Sequence, residues 1–467
     1  MINVNFFDMH IKISEKMHHE LKNHLHCGDG LEAIAFALCG RHSFQGKEFL
    51  LVHKILPISY DRCIREEDRV SWKTIDLEPF LEEAAEKNLG IVKFHSHFVQ
   101  DSEFSKLDDN SDTSVFDTIY SWINENKPHA SVVMYPNGSM KGRIITPNLN
   151  FKSVDKITVV GETVKSYSYN SQFQIANSFI RNAQTFGEKT INQLNSMKVG
   201  VIGCSGTGSP LIEQLYRLGV GHLVLVDSDH VGVENLNRII SSKKSDATNK
   251  RLKVDVIKDH IQSVDIGTRI TSYPYLLQES RQVVDDLASC DFVFGCMDSL
   301  EGRHYLNLIS TNYLIPLTDI GVKLMADGKG GVNSIVGNIH YVYAGSETLL
   351  ERGVYTSNQL AEESLKRISP EEHENRQVYF NNAVVDSPAV ISVNTLCSSL
   401  AVNDMLGRIH PYRFQDNNKY SKTVVNLTDW DINSYSVSET KEKMHYQNIG
   451  IGNIESNFNL YVTEKNI

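Results

Sequence analysis

Residues 198–238 read KVGVIGCSGTGSPLIEQLYRLGVGHLVLVDSDHVGVENLNR, with two short apolar runs on either side of a glycine-rich turn. The runs at 199–202 and 223–226 are predicted to be buried parallel strands, because such strands are apolar on both faces. Residues 209–218 predict a helix between them. The stretch therefore predicts the order strand, turn, helix, strand, which is the beginning of an α/β sheet.

The glycine-rich turn predicts an anion site. Gly203, Gly206 and Gly208 let the backbone approach a phosphate, and the N-terminus of the next helix directs unpaired N–H groups at it. Asp227 follows the second strand, where a carboxylate can hold a ribose hydroxyl. A glycine triplet alone is a weak signal, but here both strands, the helix and the acid occur in the required order. The stretch therefore predicts a nucleotide site.

The residues after Asp227 favour a nucleoside triphosphate. Asp227-Ser-Asp229 is followed by ENLNR at 234–238, and an arginine makes paired, planar contacts to phosphate oxygens. This arrangement resembles the ThiF/MoeB family and the ubiquitin-activating enzymes, whose pattern is Gly-x-Gly-Gly-x-Gly, Asp-x-Asp and Asn-Leu-x-Arg. Ser205 replaces the second glycine of that pattern and still offers a backbone N–H. The resemblance implies a Rossmann-like, doubly wound sheet that binds ATP and Mg²⁺, with Asn235 and Arg238 at the nucleotide.

The same resemblance implies roles for three more residues. Lys253 would contact the triphosphate, with Lys250 as the alternative, in a helix predicted at 249–260. Asp298 follows a predicted strand at 291–295 and would hold magnesium and position the acyl phosphate. Arg181 would reach across a homodimer into the partner's nucleotide site, and the alternative is an ordinary solvated arginine.

A second site is predicted near the N-terminus. Residues 94–98 predict a strand, and residues two apart on a strand face the same way, so His95 and His97 present two imidazoles on one side. Two imidazoles and the carboxylate of Asp108 from the following segment suit zinc. Glu32 is a lone carboxylate in the apolar run 30–39, so it must be paired, protonated or functional.

These residues, with Ser105, resemble the JAMM motif of the JAB/MPN metallopeptidases, which cut bonds at the C-terminus of ubiquitin-like proteins. The resemblance implies that His95, His97 and Asp108 bind zinc. It further implies that Glu32 is the general base toward the attacking water, and that Ser105 steadies that water or the oxyanion. The alternative is two surface histidines and a serine that only caps a helix.

Composition bounds the class of protein. A chain of 467 residues with 41% hydrophobic and 22% charged residues predicts two or three globular domains. The net charge of −11 does not favour a nucleic-acid partner. No apolar run reaches the length of a membrane span, residues 1–16 lack the apolar core of a signal peptide, and seven scattered cysteines fit a reducing cytoplasm.

We therefore predict a metallopeptidase domain at 1–147, a closing hairpin and linker at 148–172, and an adenylation domain at 173–467 whose residues 410–467 form a strand-rich extension. The resemblances imply a bifunctional enzyme that activates and cleaves the C-terminus of a ubiquitin-like protein. A homodimer and a ubiquitin-conjugating-like enzyme are the further partners considered. The alternatives are a sulfur-carrier activator for cofactor synthesis and a non-catalytic module that binds ubiquitin-like tails.

The adenylation domain is also predicted to form no cysteine thioester. Related enzymes often carry Cys-Leu-x-Cys in their crossover region, and alignment puts Thr348 and Glu351 at those positions. No cysteine lies between Cys296 and Cys397. The adenylate would pass directly to an external acceptor, which we favour, or to a hydroxyl such as that of Thr348 or a nearby serine.

Overall fold

The computed structural model describes residues 8–123, 126–168, 174–327, 329–369 and 389–453. They form two compact units. The first contains the described residues up to 168 together with 311–314 and 447–453, and the second contains the other described residues from 174 to 446. Within the described residues, no helix combines the length and the apolar composition that crossing a bilayer would require.

The first unit is a mixed α/β domain built on a nine-stranded sheet. Its strands are β1 (Asp8–Ser14), β2 (Ile34–Phe44), β3 (Lys47–Pro57), β4 (Cys63–Arg65), β5 (Val70–Trp72), β6 (Gly90–Ser96), β7 (His129–Met134), β8 (Met140–Ile145), β9 (Phe151–Ser153), β10 (Lys156–Val160) and β11 (Lys165–Ser168). Its helices are α1 (Glu15–Leu25), α2 (Glu78–Lys87) and α3 (Lys106–Ile123). The sheet order is β11-β10-β1-β3-β2-β6-β7-β8-β9, and β4 pairs with β5 in a separate hairpin.

His95, the first histidine of the motif, lies on β6, an interior strand of this sheet. Every residue of β6 is buried, and its apolar side chains alternate between the two cores, with Phe94 in one and Ile91 in the other. The strand ends at Ser96 and not at residue 98 as predicted, so His97 lies just beyond it. The backbone N–H of His97 still donates to the carbonyl of Met134 at 3.0 Å, which fixes its position beside β7.

Helix α3 begins at Lys106, where Ser105 caps it. Strand β7 is followed by β8 to β11 in the same sheet. The predicted hairpin at 148–172 includes the antiparallel pair β10–β11, and β10 also pairs in parallel with β1, so these residues extend the first sheet instead of linking the units.

The second unit alternates strands and helices. Its elements are α4 (Ile180–Phe186), α5 (Glu188–Ser196), β12 (Lys198–Ile202), α6 (Gly208–Arg217), β13 (His222–Val226), α7 (Lys244–Thr248), α8 (Lys253–Val264), β14 (Arg269–Tyr273), α9 (Arg281–Ala288), β15 (Phe292–Gly295), α10 (Leu300–Tyr313), β16 (Leu317–Ala326), β17 (Val332–Val342), α11 (Ser357–Ile368), α12 (Ile391–Ile409), β18 (Lys422–Asn426), β19 (Asp431–Tyr435) and α13 (Lys443–Gln447).

These strands form one eight-stranded sheet in the order β14-β13-β12-β15-β16-β17-β18-β19. The first five strands run parallel and the last three are antiparallel. The predicted Rossmann-like α/β sheet is therefore confirmed. The carboxyl ends of β13, β12 and β15 lie side by side, which is where open parallel sheets bind ligands.

The helix predicted at 249–260 is wrong at its start. Helix α7 ends at Thr248, before this range, and α8 begins only at Lys253. Lys250 lies in the turn before it with φ of +46°. Lys253 is therefore the first residue of the helix.

Candidate active sites

His95, His97 and Asp108 are brought together at the end of β6. Each offers one ligand atom, and these atoms all lie within 4.8 Å of one another. His95 Nε2 is 2.9 Å from Asp108 Oδ1, and His97 Nε2 is 3.3 Å from Asp108 Oδ2. Two imidazole nitrogens and a carboxylate oxygen converging on one point are a donor set that zinc accepts, with a fourth position left for another ligand.

His95 supports this interpretation because its ring is buried and faces the other two ligands. The residue is 2% exposed, its Nε2 lies beside the Asp108 carboxylate, and within the described residues its Nδ1 has no hydrogen-bond partner. Burial lowers the pKa of His95, which favours the neutral ring that binds metals. A neutral imidazole nitrogen and a carboxylate oxygen both donate electron pairs, so a metal ion between them would be bound by both.

Nearby hydroxyl groups fix the other two ligands. Ser102 Oγ lies 2.9 Å from His97 Nδ1, so Nε2 is the atom that faces the convergence point. Ser105 and Asp108 cap each other: the Asp108 N–H donates to Ser105 Oγ at 3.2 Å, and the Ser105 N–H donates to Asp108 Oδ2 at 2.7 Å. Burial raises the pKa of Asp108, but hydrogen bonds from both histidines outweigh it and hold that pKa well below its usual range.

Glu32 lies in the same cavity as His95 and Asp108, a space of 420 Å³. The residue is 6% exposed and precedes β2, whose Ile34 is paired in register with His95. Burial, and then repulsion from Asp108 and Asp68, raise the pKa of Glu32 to about 8. A carboxyl group whose pKa lies near neutrality can exchange a proton with a reacting group at physiological pH.

The second cavity, of 670 Å³, lies at the carboxyl ends of the parallel strands of the second unit. Gly203, Ser205 and Gly206 line it, and Gly208 begins α6 beside it. Gly203 has φ of +92°, and a Cβ there would lie 2.6 Å from the carbonyl oxygen of Cys296. A Cβ on Gly206 would lie 2.4 Å from Asn394 Nδ2. Both glycines therefore pack too closely against Cys296 and Asn394 to carry a side chain, and this close packing keeps the backbone of the turn at the cavity wall.

Asp227 occupies the end of β13 as predicted. Its Oδ2 accepts the N–H of Cys204 at 2.7 Å and its Oδ1 accepts the N–H of Asp229 at 2.9 Å. Lys253 Nζ lies 2.7 Å from Asp229 Oδ2 and 3.9 Å from Asp227 Oδ1. Burial raises the pKa of Asp227, and Lys253 opposes this rise. Both side chains line the cavity in fixed positions.

Asn235, Arg238 and Asp298 also line this cavity. Asn235 Oδ1 accepts the N–H of Gly232 at 2.9 Å, so this side chain shapes the turn as well. Arg238 Nη1 donates to the carbonyl of Glu234 at 2.6 Å. Asp298 is exposed at the strand end, and within the described residues its carboxylate has no hydrogen-bond partner. Arg181 is exposed on α4 and is not among the residues that line the cavity.

Two residues at the sites, Asn394 and Ser102, were not predicted from the sequence. Asn394 is buried on α12 and packs against Gly206 at the cavity wall. Ser102 lies in the loop after His97 and carries no spacing signal of its own. The proposed acceptor Thr348 needs correction: it is 2% exposed and its Oγ1 accepts the N–H of Glu351 at 3.2 Å. Its hydroxyl is therefore a buried cap and not an accessible nucleophile.

Comparison with known proteins identifies the second unit. Residues 179–448 match the model of the ThiF family, which confirms that part of the prediction. The matched range includes the second cavity and does not include His95 and His97. The JAB/MPN assignment of the first unit therefore stays a prediction.

Curated relatives match over shorter ranges. Adenylyltransferase and sulfurtransferase UBA4 of Meyerozyma guilliermondii is 30% identical over 145 residues, 31% of this chain and 33% of the relative. tRNA threonylcarbamoyladenosine dehydratase 2 of Saccharomyces cerevisiae is 27% identical, covering 36% of this chain and 37% of the relative. Ubiquitin-like modifier-activating enzyme 5 of Culex quinquefasciatus is 25% identical, covering 38% and 46%. The chain thus spans less than half the length of each of these relatives.

Proposed function

The chain belongs to the ThiF family, and on that premise we propose that it adenylates the C-terminal carboxylate of a ubiquitin-like or sulfur-carrier protein. The observation that carries the proposal is the second cavity, in which a glycine cradle, a strand-end carboxylate and two cations converge. The names of two relatives, an adenylyltransferase and a ubiquitin-like modifier-activating enzyme, support the same class of reaction.

Each lining residue has a distinct task in this proposal. Asp227, held by two backbone N–H groups, binds a ribose hydroxyl with its remaining lone pairs. The N-terminus of α6, Arg238 and Lys253 bind the phosphates. Mg²⁺ held by Asp298 would neutralise charge on the triphosphate. The chain's contribution is positioning and charge compensation, which lower the barrier without covalent chemistry from the protein.

We also propose that the adenylation units act as a two-fold homodimer. Arg181 is exposed and does not line its own cavity, which suits a role in the cavity of a second copy.

For the first unit we propose a zinc-dependent peptidase that cuts at the same kind of tail, either to mature a precursor or to remove a conjugate. The convergence of the buried His95 ring with His97 and Asp108 carries this proposal. Bound zinc would polarise the scissile carbonyl and acidify a water molecule. Glu32 accepts a proton from the attacking water and passes it to the leaving amine, and Ser105 fixes the orientation of Asp108.

Two alternative functions and one further partner are separable. A sulfur-carrier activator would use the same adenylation cavity and would differ only in the partner protein. A ubiquitin-conjugating-like enzyme would be the next partner if the chain serves protein conjugation. A binding module without catalysis would hold no zinc. The name of the Saccharomyces cerevisiae relative includes a tRNA, but the net charge of −11 does not favour nucleic acid here.

ATP–pyrophosphate exchange driven by the partner protein tests the adenylation proposal. The full chain is assayed with candidate ubiquitin-like and sulfur-carrier proteins, each with a free or an amidated C-terminus, and with tRNA as a separate arm. We expect exchange only with a free carboxylate and a loss of about 100-fold in Asp298→Ala. ATP binding measured by calorimetry should be largely retained in that variant. Unchanged exchange in Asp298→Ala would remove Asp298 from the mechanism.

A further inference from the structure

Arg303 lies near the start of α10 and lines the nucleotide cavity. We propose that Arg303 binds the C-terminal carboxylate of the protein being activated, and that the buried carboxylate of Asp319 positions it. This inference rests on the proposed adenylation function. It assigns Arg303 to the incoming protein and leaves Arg238 and Lys253 to the nucleotide.

Asp319 holds the inner edge of the guanidinium. Arg303 Nε donates to Asp319 Oδ1 at 3.1 Å, and Asp319 is 1% exposed on β16. Burial raises the pKa of Asp319 and Arg303 opposes it. His340 is the register partner of Asp319 on β17, and burial lowers its pKa to about 3. Because that ring is neutral at physiological pH, the cations that act on Asp319 are Arg303, which donates a hydrogen bond to it, and Arg352, which acts through its charge alone.

The outer edge of the guanidinium is left available. Across the described part of the chain, neither Nη atom of Arg303 makes a hydrogen bond or an ion pair. Gly321 makes room for it, because a Cβ there would lie 3.2 Å from Nη2. A guanidinium anchored through Nε, with its Nη atoms free beside a cavity, can form paired contacts to a carboxylate.

The strand order separates Arg303 from the other two cations. The sheet runs β13, β12, β15, β16. Arg238 and Lys253 come from the segments after β13, the strand that carries the ribose-binding acid. Arg303 and Asp319 come from α10 and β16, on the opposite side of β12 and its glycine cradle. The cradle at the end of β12 therefore lies between the two groups of cations.

Adenylation needs this separation. An oxygen of the tail carboxylate forms a bond to the α-phosphorus of ATP while the bond from that phosphorus to pyrophosphate breaks. The products are an acyl adenylate and pyrophosphate, and the attacking and leaving oxygens must lie roughly in line. With pyrophosphate on the side of Arg238 and Lys253, the carboxylate must approach from the side of Arg303.

The experiment compares substitutions that disturb Arg303 in different ways. Gly321→Ala places a Cβ against the guanidinium and removes no charge, and Arg303→Lys keeps the charge but loses the planar fork. Asp319→Asn removes the positioning charge. Arg367→Lys is the matched control, because Arg367 pairs with Glu301 on the same α10 and does not line the cavity. Thermal melting verifies that each full-length variant is folded.

The probe is a synthetic peptide of the C-terminal tail of the candidate partner with a free carboxylate, and its C-terminal amide is the comparison. We expect the KM of the free-acid peptide in pyrophosphate exchange to rise about 10- to 100-fold in Arg303→Lys, the equivalent of a lost charge-assisted pair. Gly321→Ala, which displaces the guanidinium only slightly, should raise KM less and in the same direction. ATP affinity should stay within about twofold of the parent. Asp319→Asn should raise KM in the same direction, and Arg367→Lys should change neither quantity.

Two results would overturn the assignment. An equal loss of ATP affinity would put Arg303 on the phosphates, and an unchanged peptide KM would make the Arg303–Asp319 pair purely structural. If the parent chain catalyses no exchange at all, the adenylation proposal fails separately. In that case the carboxylate site is tested by measuring direct binding of the free-acid peptide to the chain loaded with a non-hydrolysable ATP analogue. Binding that requires Arg303 supports the carboxylate site, and no binding refutes it.

Discussion

Replacing Glu32 with Gln should stabilise the zinc-free first unit as pH rises. Glu32 is buried and faces the carboxylates of Asp108 and Asp68, so ionising it in the folded protein is unfavourable. Its pKa is about 8 in the fold against an ordinary 4.5. Between these values the folded state holds one proton that the unfolded state releases, so the free energy of unfolding falls with pH. Gln cannot ionise and removes this dependence.

The size of the effect follows from the two pKa values. Each pH unit in this window changes the free energy of unfolding by at most about 1.4 kcal/mol, so the full window corresponds to about 5 kcal/mol as an upper limit. Relaxation and water entry into an open cavity reduce it, and we expect on the order of 2 kcal/mol between pH 6 and pH 8. Bound zinc would favour the ionised carboxylate and shrink the difference between parent and variant.

Urea unfolding followed by tryptophan fluorescence measures this directly. Trp72 lines the same cavity as Glu32 and Trp122 lies on α3, whereas Trp430 is mostly exposed and reports little. The parent, Glu32→Gln and the surface variant Glu86→Gln on α2 are compared at several pH values, with and without zinc. Parallel plots of the free energy of unfolding against pH for the parent and Glu32→Gln would refute the argument.

With zinc, Glu32→Gln should keep about one metal per chain and lose cleavage of a ubiquitin-like fusion. Retained cleavage would exclude Glu32 as the base.

Two further predictions concern the second unit. Arg181→Ala and Asp298→Ala should each abolish ATP–pyrophosphate exchange when assayed alone. A mixture whose dimers can swap subunits should regain activity, since one composite site in each mixed dimer is whole. Absence of complementation would contradict a shared site. A gel of the full chain with ATP and its partner should show no adduct that thiol reductant cleaves, because Cys397 and Cys296 are buried and burial raises the pKa of both thiols; a reductant-sensitive adduct would disprove direct transfer.

The parallel strands of the second unit could be predicted because their signals are local. The run at 199–202, the glycines and Asp227 are adjacent in sequence, and β12, α6 and β13 lie within about two residues of the predicted bounds. The histidine pair was recognisable for the same reason, since a spacing of two puts both rings on one side of an extended segment.

Residues that depend on tertiary packing could not be predicted in this way. Asn394 approaches the glycine turn only because α12 packs against α6, and a buried asparagine in an apolar helix has no distinguishing pattern. The pairing of Arg303 with Asp319 requires α10 to lie over β16, and neither position signals the other in the sequence. Helix α8 begins later than predicted because Lys250 in the preceding turn has a positive φ. A lysine residue does not signal this backbone conformation in the sequence.

The segment that aligns with the crossover region has no cysteine pair, and hydrogen bonds hold it in place. Glu351 Oε2 accepts the N–H of Thr348 and the hydroxyl of Thr440, both at 2.8 Å, and its Oε1 accepts the N–H of Lys441 at 2.7 Å. Backbone hydrogen bonds from Glu347 to Ser438 and from Thr440 to Gly345 join the same two segments. The carboxylate of Glu351 thus joins its own segment, which the resemblance aligns with the cysteine positions of related enzymes, to the segment at 440–441. We call this junction the clip.

The clip limits which groups of the chain could accept the acyl group from the adenylate. Burial raises the pKa of Glu351, but the hydrogen bonds from Thr348 and Lys441 outweigh it and keep the carboxylate ionised at neutral pH. Thr348 is committed to the same clip through its N–H and its Oγ1. Neither residue can act as a nucleophile without breaking these hydrogen bonds. An external amine or thiol attacking the acyl adenylate directly is therefore the route that this region favours, because it requires no nucleophile from the chain.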